Sequence, residues 1–347
     1  MTSADEQAFL TAIVAAPEDD TPRLVFADWL DERNRGDDAA RAALIRAQCR
    51  AELLPPESKE RKKLEREAKA VLKQHGDRWA KELRESKVGD SKLVESYEFR
   101  RGFLAHVVMS GTTFARQAEK LFEIAPTIRS AYFREAANEM SAVAKCEHLA
   151  RLASVDVRQM CWCGYCRIQN DLRALFNSKH LGGLTQLSVA GDRMDAAGAK
   201  RLAKSTALKR LTSLDASDNP LGDDGAEAIC ASKNLKHLAN LDLTGAQLGD
   251  AALESLAGAE NLPALRRLTL SANRFTAAGL EALVGSPLFA GLEALELMNT
   301  GIGDAGARVL ASAPEGTRLG RLDVTLCKIT ARVGEKLKKR YGKGVKA

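Results

Sequence analysis

The chain has 347 residues, of which 45% are hydrophobic and only 5% aromatic, and its formal net charge at pH 7 is +6. This composition indicates a globular protein long enough for more than one domain. The sequence contains no apolar run of the roughly 18 residues that a membrane-spanning helix needs, which argues against a membrane partner. The acidic N-terminus lacks the basic residues of a secretory signal, and seven unevenly spaced cysteines favour a reducing compartment. We therefore expect a cytoplasmic protein.

Residues 1–88 are predicted to form a small all-helical domain. Apolar side chains recur at helical spacing in several segments, beginning with Phe9 and Ile13 in the first. Thr21 is predicted to cap the second helix, with Pro22 at its first position, where the missing N–H group costs nothing.

Part of this domain carries a family resemblance. The segment EQAFLTAIVAAPEDDTPRLVFADWLDER, followed by ALIRAQCR, is similar to the repeat-companion domain, a short helical module at the N-terminus of many bacterial repeat proteins. The similarity covers roughly residues 4–53, although RNRGDDAARAALIR is longer than the usual turn. The residues that match the pattern of that family are Asp19, Asp20, Pro22, Arg23, Leu24, Ala27, Asp28, Trp29, Leu30, Glu32, Ile45, Arg46 and Gln48. The resemblance implies a bacterial protein that carries repeats, but no particular activity.

The segment DDTPRLVFADWLDER allows two interpretations. Asp19 and Asp20 precede a helix, where negative charge interacts favourably with the helix dipole, and Arg23 can pair with an acidic neighbour. One interpretation is a structural signature that fixes the helices, and the other is a docking surface for a partner.

Residues 89–180 are predicted to be a transitional region with degenerate repeats. LVESYEFRRGFLAHVVM is predicted to form two strands around Arg101 and Gly102, and Thr112 or Thr113 is predicted to cap the helix that follows. Two apolar patterns resemble incomplete repeat strands; they comprise Ile128, Ala131 and Phe133, and then Leu152, Val155 and Val157.

The transitional region also contains a cysteine-rich loop, CWCGYC. A tetrahedral zinc ion could be bound by thiolates and an imidazole from this loop and from one degenerate repeat upstream. The candidate ligands are Cys146, His148, Cys161, Cys163 and Cys166. The spacing is not that of a standard zinc finger, so ordinary buried or free thiols are the competing interpretation. The C-x-x-C pattern is also found in redox sites, but the thioredoxin-like context that such a site needs is missing.

One pattern recurs six times at a period of 27 residues across residues 181–340. The repeats open at Leu184, Leu211, Leu238, Leu265, Leu292 and Leu319. Each L-x-x-L-x-L segment alternates apolar and polar positions like a short strand, and an alanine-rich segment with helical spacing follows it. We therefore predict a right-handed α/β leucine-rich repeat solenoid, with parallel strands on the concave side, helices on the convex side and a basic tail at 341–347. The repeats resemble the ribonuclease-inhibitor-like class, whose members bind other proteins.

Each repeat has one turn position that is usually asparagine or cysteine in such solenoids. Its occupants here are Asp192, Asn219, Ala246, Asn273, Thr300 and Cys327. A polar side chain at this position satisfies backbone groups of the turn. Because Ala246 has no polar side chain, we expect water or a local adjustment of the backbone in the third repeat.

A binding face can be predicted from strand geometry, because residues that flank the buried leucine point outward. The predicted protein-binding residues are Ser188, Asp215, Asp242, Arg267, Thr269, Glu296, Arg321 and Asp323. The four acidic residues form one column, which favours a basic partner. The competing interpretation is that aspartate is simply a common solvated residue at this position.

The sequence shows no nucleotide-binding, hydrolase or metalloprotease motif, so we expect a non-enzymatic protein-interaction scaffold. Two alternatives remain open: a metal-binding or redox-responsive regulator that uses the CWCGYC loop, and a nucleic-acid-associated scaffold that uses the basic C-terminus. Nucleic acid is disfavoured because the basic residues cluster after the last repeat and not along a face.

Overall fold

The computed structural model describes residues 4–134, 139–158 and 172–347. The chain forms two compact units, Met1–Tyr132 and Phe133–Ala347.

The first unit begins with helices and continues with short strands. Its helices are α1 (Ala4–Ala15), α2 (Thr21–Arg33), α3 (Asp38–Glu52), α4 (Lys59–Trp79), α5 (Lys81–Glu85) and α6 (Gly111–Ile124). Its strands are β1 (Lys87–Val88), β2 (Ser91–Lys92), β3 (Ser96–Arg100) and β4 (Phe103–Ser110). Strand β5 (Ser130–Arg134) follows α6, and its first three residues belong to this unit. The predicted helices and the two predicted strands around Arg101 and Gly102 are confirmed.

The core of the first unit joins the helices to the β3–β4 hairpin. The helical side chains of this core are Ile13, Phe26, Ala27, Leu30, Ala42, Ile45 and Cys49, all buried. Phe103 of β4 is 4% exposed and belongs to the same cluster, and its ring centroid lies 5.7 Å from that of Phe26. The hairpin is therefore an integral part of this unit.

Two predicted helix caps are wrong. The N-cap of α2 is Asp20, and Thr21 is the first helical residue; its N–H donates to the Asp19 carboxylate at 2.8 Å. The N-cap of α6 is Ser110, whose hydroxyl accepts from the Thr113 N–H at 3.1 Å. In both places the chain starts its helix earlier than the sequence pattern suggests, because a polar side chain just upstream meets a free N–H group of the first turn.

The second unit alternates strands with helices. Its strands are β6 (Ser154–Asp156), β7 (Gln186–Ser188), β8 (Ser213–Asp215), β9 (Asn240–Asp242), β10 (Arg267–Thr269), β11 (Ala294–Glu296), β12 (Arg321–Asp323) and β13 (Val345–Lys346). Its helices are α7 (Met140–Lys145), α8 (Leu172–Phe176), α9 (Ala196–Lys204), α10 (Gly222–Cys230), α11 (Asp250–Ala257), α12 (Ala277–Val284), α13 (Pro287–Gly291), α14 (Gly303–Ala311) and α15 (Ala331–Tyr341). Short 3₁₀ turns occupy Glu147–Arg151, Thr206–Leu208 and Gly342–Gly344.

Strands β6 to β13 pair in sequence order, and every pair is parallel. Equivalent residues of successive repeats are in register, as Leu187 with Leu214 and Leu214 with Leu241 show. The inward row is at most 2% exposed and comprises Leu187, Leu214, Leu241, Leu268, Leu295 and Leu322. No single repeat could bury these side chains, so stacking creates the core.

Buried polar side chains also connect successive turns. The Asn219 amide donates to the backbone carbonyl of Val189 in the preceding repeat at 2.9 Å and to Ala216 at 3.0 Å. Its Oδ1 accepts from the Met194 N–H at 2.8 Å. Asn219 therefore satisfies backbone groups of two repeats at once, as the turn position predicts.

The segment predicted as a basic tail at 341–347 includes the last strand of the sheet. In β13, Val345 pairs with Leu322 and Lys346 pairs with Asp323. The unit thus ends with a strand that covers the edge of β12.

Of the helices within the described residues, none combines the length and the hydrophobicity that a bilayer-spanning segment requires.

Candidate functional site

The outward side chains of the parallel strands form a continuous surface, which we call the strand face. Its central column consists of the last residue of each strand: Asp156, Ser188, Asp215, Asp242, Thr269, Glu296, Asp323 and Lys346. Neighbouring members lie roughly 4.8 Å apart, the spacing of paired strands. All the predicted binding residues lie on this face: Arg267 and Arg321 are exposed, Asp323 is 9% exposed, and the others are half-buried.

Asp215 and Asp242 stand side by side in the central column. The Asp215 carboxylate accepts from the Ser188 hydroxyl at 2.9 Å and from the Ser217 hydroxyl at 2.6 Å, and Asp242 accepts from the Thr244 N–H at 2.8 Å. Among the residues that the structure describes, no basic side chain forms an ion pair with either carboxylate. Asp215 and Asp242 are thus the carboxylates of the central column that form no ion pair within the described part of the chain.

Burial raises the pKa of the Asp242 carboxyl above its usual range, and the carboxylates of Asp215 and Glu296 add to this shift. The Thr244 hydrogen bond opposes it. A positive charge placed over the column would relieve this repulsion.

The acids near the C-terminal end of the column already have basic partners. Glu296 pairs with Arg321 at 3.0 Å, and Asp323 pairs with Lys346 at 3.4 Å. Burial disfavours ionisation of Asp323, but hydrogen bonds from Thr325 and Lys346 hold the pKa of this carboxyl below its usual value. These residues therefore differ chemically from Asp215 and Asp242, although they share one column.

The aspartates also have a structural role that sequence reasoning missed. Asp215, Asp242 and Asp323 each accept a hydrogen bond from the backbone N–H two residues later. This Asx-type turn ends the strand and begins the loop. The sequence pattern that could have predicted these turns is Asp-x-Ser or Asp-x-Thr, in which the middle residue is a buried alanine, leucine or valine.

Part of the basic C-terminus contacts the last repeat. The Arg340 guanidinium donates to the backbone carbonyls of Ala313 and Pro314, both at 2.7 Å, and Lys338 pairs with Glu335 at 2.9 Å. Together with the Lys346 ion pair, these contacts are typical of a terminal cap, which is the interpretation that competes with a nucleic-acid surface.

The predicted zinc ligands Cys161, Cys163 and Cys166 lie outside the described residues. Cys146 is a half-buried free thiol, and burial raises its pKa. Within the described part of the chain, no group of three or more histidine, cysteine or acidic residues could hold a metal ion. The zinc site stays a prediction.

The segment with the family resemblance supports the β3–β4 hairpin. Gln48 accepts from the Gly102 N–H at 2.7 Å and donates to the Phe99 carbonyl at 3.2 Å. The Arg23 guanidinium, only 8% exposed, donates to the carbonyls of Asp19 at 2.7 Å and Pro17 at 2.9 Å.

An exposed ion-pair group lies on the neighbouring helix surface, where Arg46 pairs with Asp28 at 2.6 Å and with Asp31 at 2.7 Å. Arg23 and Gln48 thus have structural contacts that favour the first of the two interpretations of this segment.

The geometry of the second unit defines an α/β leucine-rich repeat solenoid, in which a strand, a turn and a helix recur. A family model described as "Leucine Rich repeat" matches residues 209–230 and 292–311, which contain the second and fifth strands of the regular repeats. No curated protein matches the chain.

Several solved structures are similar to this chain. An internalin (inlF) from Listeria monocytogenes is 16% identical, with 63% of this chain and 67% of that chain covered and a TM-score of 0.38. The match to the Rad7 and Elc1 complex in yeast is 13% identical, covers 98% of this chain and 91% of that chain, and has a TM-score of 0.40. The match to a TLR13–ssRNA13 complex is 18% identical, covers 65% of this chain and 36% of that chain, and has a TM-score of 0.36. The fold is defined by the repeat spacing and the parallel strand pairing of the chain itself.

Proposed function

We propose that the protein is a non-enzymatic interaction scaffold whose strand face binds a protein segment with basic side chains. The observation that carries this proposal is the juxtaposition of Asp215 and Asp242, two carboxylates in register on adjacent strands with no cationic partner among the described residues. A lysine or arginine of a partner would interact with both carboxylates and lower the cost of keeping Asp242 ionised.

The flanking columns of the strand face suggest how such a segment would be oriented. One flanking column consists of the first residue of each strand and includes the exposed Arg267 and Arg321. The other consists of the residues two positions after the central column and includes Met298, which is 43% exposed. Met298 offers an apolar contact of the kind enriched at interfaces, whereas the two arginines would repel a uniformly basic ligand. We therefore expect a partner in which one or two basic residues are flanked by apolar and acidic ones.

The affinity of one such segment should be moderate. The strand face has no tryptophan or tyrosine in its three columns, and those residues carry much of the energy of tight interfaces. Charge complementarity raises association rates more than it raises affinity. Because dissolved salt screens exposed charges, binding should weaken as the salt concentration increases.

A peptide array of unbiased sequence tests the proposal. The wild-type protein should select peptides enriched in lysine and arginine, and the Asp215→Asn, Asp242→Asn double variant should lose that selection. The matched control is Asp224→Asn, Glu227→Gln, which removes two negative charges from helix α10. An array without basic enrichment, or the same enrichment in the Asp215 and Asp242 variant, would overturn the proposal.

Residues 4–53, which resemble the repeat-companion domain, have a structural and not a binding role in this proposal. Within this segment, Gln48 and Arg23 hold the hairpin turn and the α1–α2 loop of the first unit. We assign this segment a structural role, in which it presents a folded helical unit in the same chain as the binding repeats.

A further inference from the structure

The loops that lead into strands β8 and β9 carry exposed basic side chains at equivalent positions. Lys209 and Arg210 precede β8, and Lys236 holds the position of Lys209 in the next repeat; all three are exposed. In both loops the N–H of the leucine that opens the repeat, Leu211 or Leu238, donates to the carbonyl three residues earlier at 3.0 Å. Because the strands that follow are in register, the solenoid places these cations in adjacent loops. We call Lys209, Arg210 and Lys236 the basic edge.

The basic edge has no counterion of its own. None of its three side chains forms an ion pair with any residue that the structure describes. The positions equivalent to Lys209 in the flanking repeats are uncharged, Gly182 on one side and Pro263 on the other. An exposed acid in the next loop, Glu260, aligns with Lys233 and not with the basic edge. Like charges in adjacent loops create a positive potential that favours a carboxylate from a partner.

The basic edge and the unpaired acids lie at opposite ends of the same two repeats. Six residues separate Lys209 from Asp215, and six separate Lys236 from Asp242. An extended chain of that length spans at most about 20 Å, which limits the distance between the two ends. The two repeats therefore present positive charge at the start of their strands and negative charge at the end.

The surface between these ends is uncharged. Ser213 and Asn240 are the outward residues at the start of β8 and β9, and they pair with each other in register. Both are half-buried, and within the described part of the chain neither side chain forms a hydrogen bond, so both can bond to a ligand. On the next strand the equivalent residue is the exposed Arg267. The uncharged surface thus forms a track that ends on one side at an arginine.

Neither a uniformly basic nor a uniformly acidic ligand matches both ends of this track. A polyanion such as nucleic acid would meet Asp215 and Asp242, and a polycation would meet the basic edge. Juxtaposed like charges cost several kcal/mol, so each end rejects one of these classes. A segment that carries both signs of charge satisfies both ends.

We propose that the partner of the strand face is an extended bipolar segment, with acidic residues on the basic edge and a lysine or arginine over Asp215 and Asp242. This inference rests on the proposed function, because the basic end of the segment occupies the site proposed there. The segment runs along the strands, since the two ends of the track belong to the same repeats. An extended chain advances about 3.3 Å per residue, so the opposite charges of the partner should be about four to six residues apart.

Fluorescence polarisation with four capped peptides, at about 50 mM salt, tests the proposal. EETSTSKK carries both charges at the expected spacing, QQTSTSKK carries only the basic pair, and EETSTSQQ carries only the acidic pair. TSEEKKTS has the composition of EETSTSKK, but its opposite charges are adjacent. We expect EETSTSKK to bind about 3- to 10-fold more tightly than each of the other three, because exposed ion pairs form at both ends.

A double variant and a matched control locate the acidic end of the peptide. Lys209→Gln, Lys236→Gln should lower the affinity for EETSTSKK to that for QQTSTSKK and should not weaken the binding of QQTSTSKK. Both positions are exposed, so the fold should be retained, which circular dichroism checks. The control Lys336→Gln, Lys339→Gln removes the same charge from exposed positions of α15 and should leave the affinity for EETSTSKK unchanged.

The outcomes separate a failure of this inference from a failure of the proposed function. Binding of QQTSTSKK as tight as that of EETSTSKK would overturn the bipolar segment and leave the proposed function intact. Equal binding of TSEEKKTS, or an equal loss of affinity in the α15 control, would also overturn it, because net charge and not position would then decide. No binding of EETSTSKK or QQTSTSKK up to about 5 mM would overturn both, as would binding of EETSTSQQ as tight as that of EETSTSKK.

Discussion

Gly222 donates its backbone N–H to the carbonyl oxygen of Ala246 in the next repeat, at 3.1 Å. Gly303 donates in the same way to Cys327, at 3.0 Å, and both glycines have a positive φ, +61° and +58°. Where the next repeat has asparagine instead, the amide oxygen of that side chain accepts from the preceding turn, as Asn219 does from Met194. The glycine turn is therefore the local adjustment expected for Ala246, a backbone substitute for a missing side chain.

Replacing Gly222 with alanine should destabilise the second unit. A Cβ at this position would meet no atom within 4 Å, so the cost comes from the left-handed backbone alone, about 1–2 kcal/mol. Gly222→Asn should cost less, because asparagine tolerates this conformation. The urea concentration at the unfolding midpoint, followed by circular dichroism, measures both changes.

Gly320→Ala is the control for Gly222→Ala. Gly320 also has open space around it, but its φ is not positive, so alanine should be neutral or stabilise the fold by about 0.4–1 kcal/mol. Equal destabilisation by Gly222→Ala and Gly320→Ala would show that the left-handed turn is not the cause.

Asn219→Ala should destabilise the second unit by about 2–4 kcal/mol, because it leaves the Val189 and Ala216 carbonyls and the Met194 N–H without this partner. The matched control is Asn240→Ala, which removes the same side chain from the half-buried outer surface of β9. Thermal unfolding of both variants gives the comparison. A shift for Asn240→Ala as large as that for Asn219→Ala would contradict the role of the buried amide.

The 27-residue period was sufficient to predict the repeat strands, their register and their buried leucines, because the same side chains recur at every layer. The period could not predict the turn at Gly222, because the conformation of this turn depends on Ala246, which lies one repeat later in the chain. Strand β13 was missed for a related reason: it has two residues, and it joins the sheet through backbone pairing with β12 and not through a leucine pattern.

Contacts within the first unit were harder to predict from sequence. Gln48 and Gly102 are 54 residues apart, and neither segment has a sequence pattern that predicts the hydrogen bond between them. The surroundings of Arg41 were equally hard to predict. Its guanidinium lies over the rings of Trp79, Phe99 and Phe103, which come from α4, β3 and β4 and meet only after the hairpin has packed on the helices. The strand face, in contrast, could be predicted from alternation alone, and its role in binding stays a proposal.

Gly102→Ala should strongly destabilise the first unit. The glycine has a φ of +84°, and a Cβ would lie 2.2 Å from Ile45 Cγ1 and 2.9 Å from the Ile45 Cα. The backbone of α3 would have to move, so we expect a loss of about 3 kcal/mol or more, from strain and overpacking together. Thermal unfolding followed by circular dichroism tests this expectation.

Gly89→Ala separates these two causes. Gly89 has a φ of +60° but open space around it, so its substitution should show backbone strain alone, about 1–2 kcal/mol. If Gly102→Ala costs no more than Gly89→Ala, the close approach of the hairpin to Ile45 is not important for stability.

Asp242 and Asp323 should change stability with pH in opposite directions. The pKa of Asp242 is raised by burial and by neighbouring carboxylates, so the folded state holds its proton more tightly than the unfolded state does. Its contribution therefore favours folding at low pH and is lost as pH rises through the raised pKa. The pKa of Asp323 is lowered by its bonds with Thr325 and Lys346, so its contribution is present above the unfolded pKa of about 3.9 and is lost as pH falls through the lowered value.

Asparagine substitutions test these two signs, because an amide keeps an oxygen that can accept the hydrogen bond and removes the charge. Asp242→Asn should stabilise the protein at pH 7, and its advantage over the wild type should shrink as the pH is lowered toward 4. Asp323→Asn should destabilise the protein at pH 7, and its deficit should shrink in the same direction. Urea unfolding at several pH values between 3 and 7 measures both differences. Destabilisation at pH 7 by Asp242→Asn would mean that the Asp242 charge is favourable in the free protein, and it would remove the electrostatic reason for expecting a basic partner.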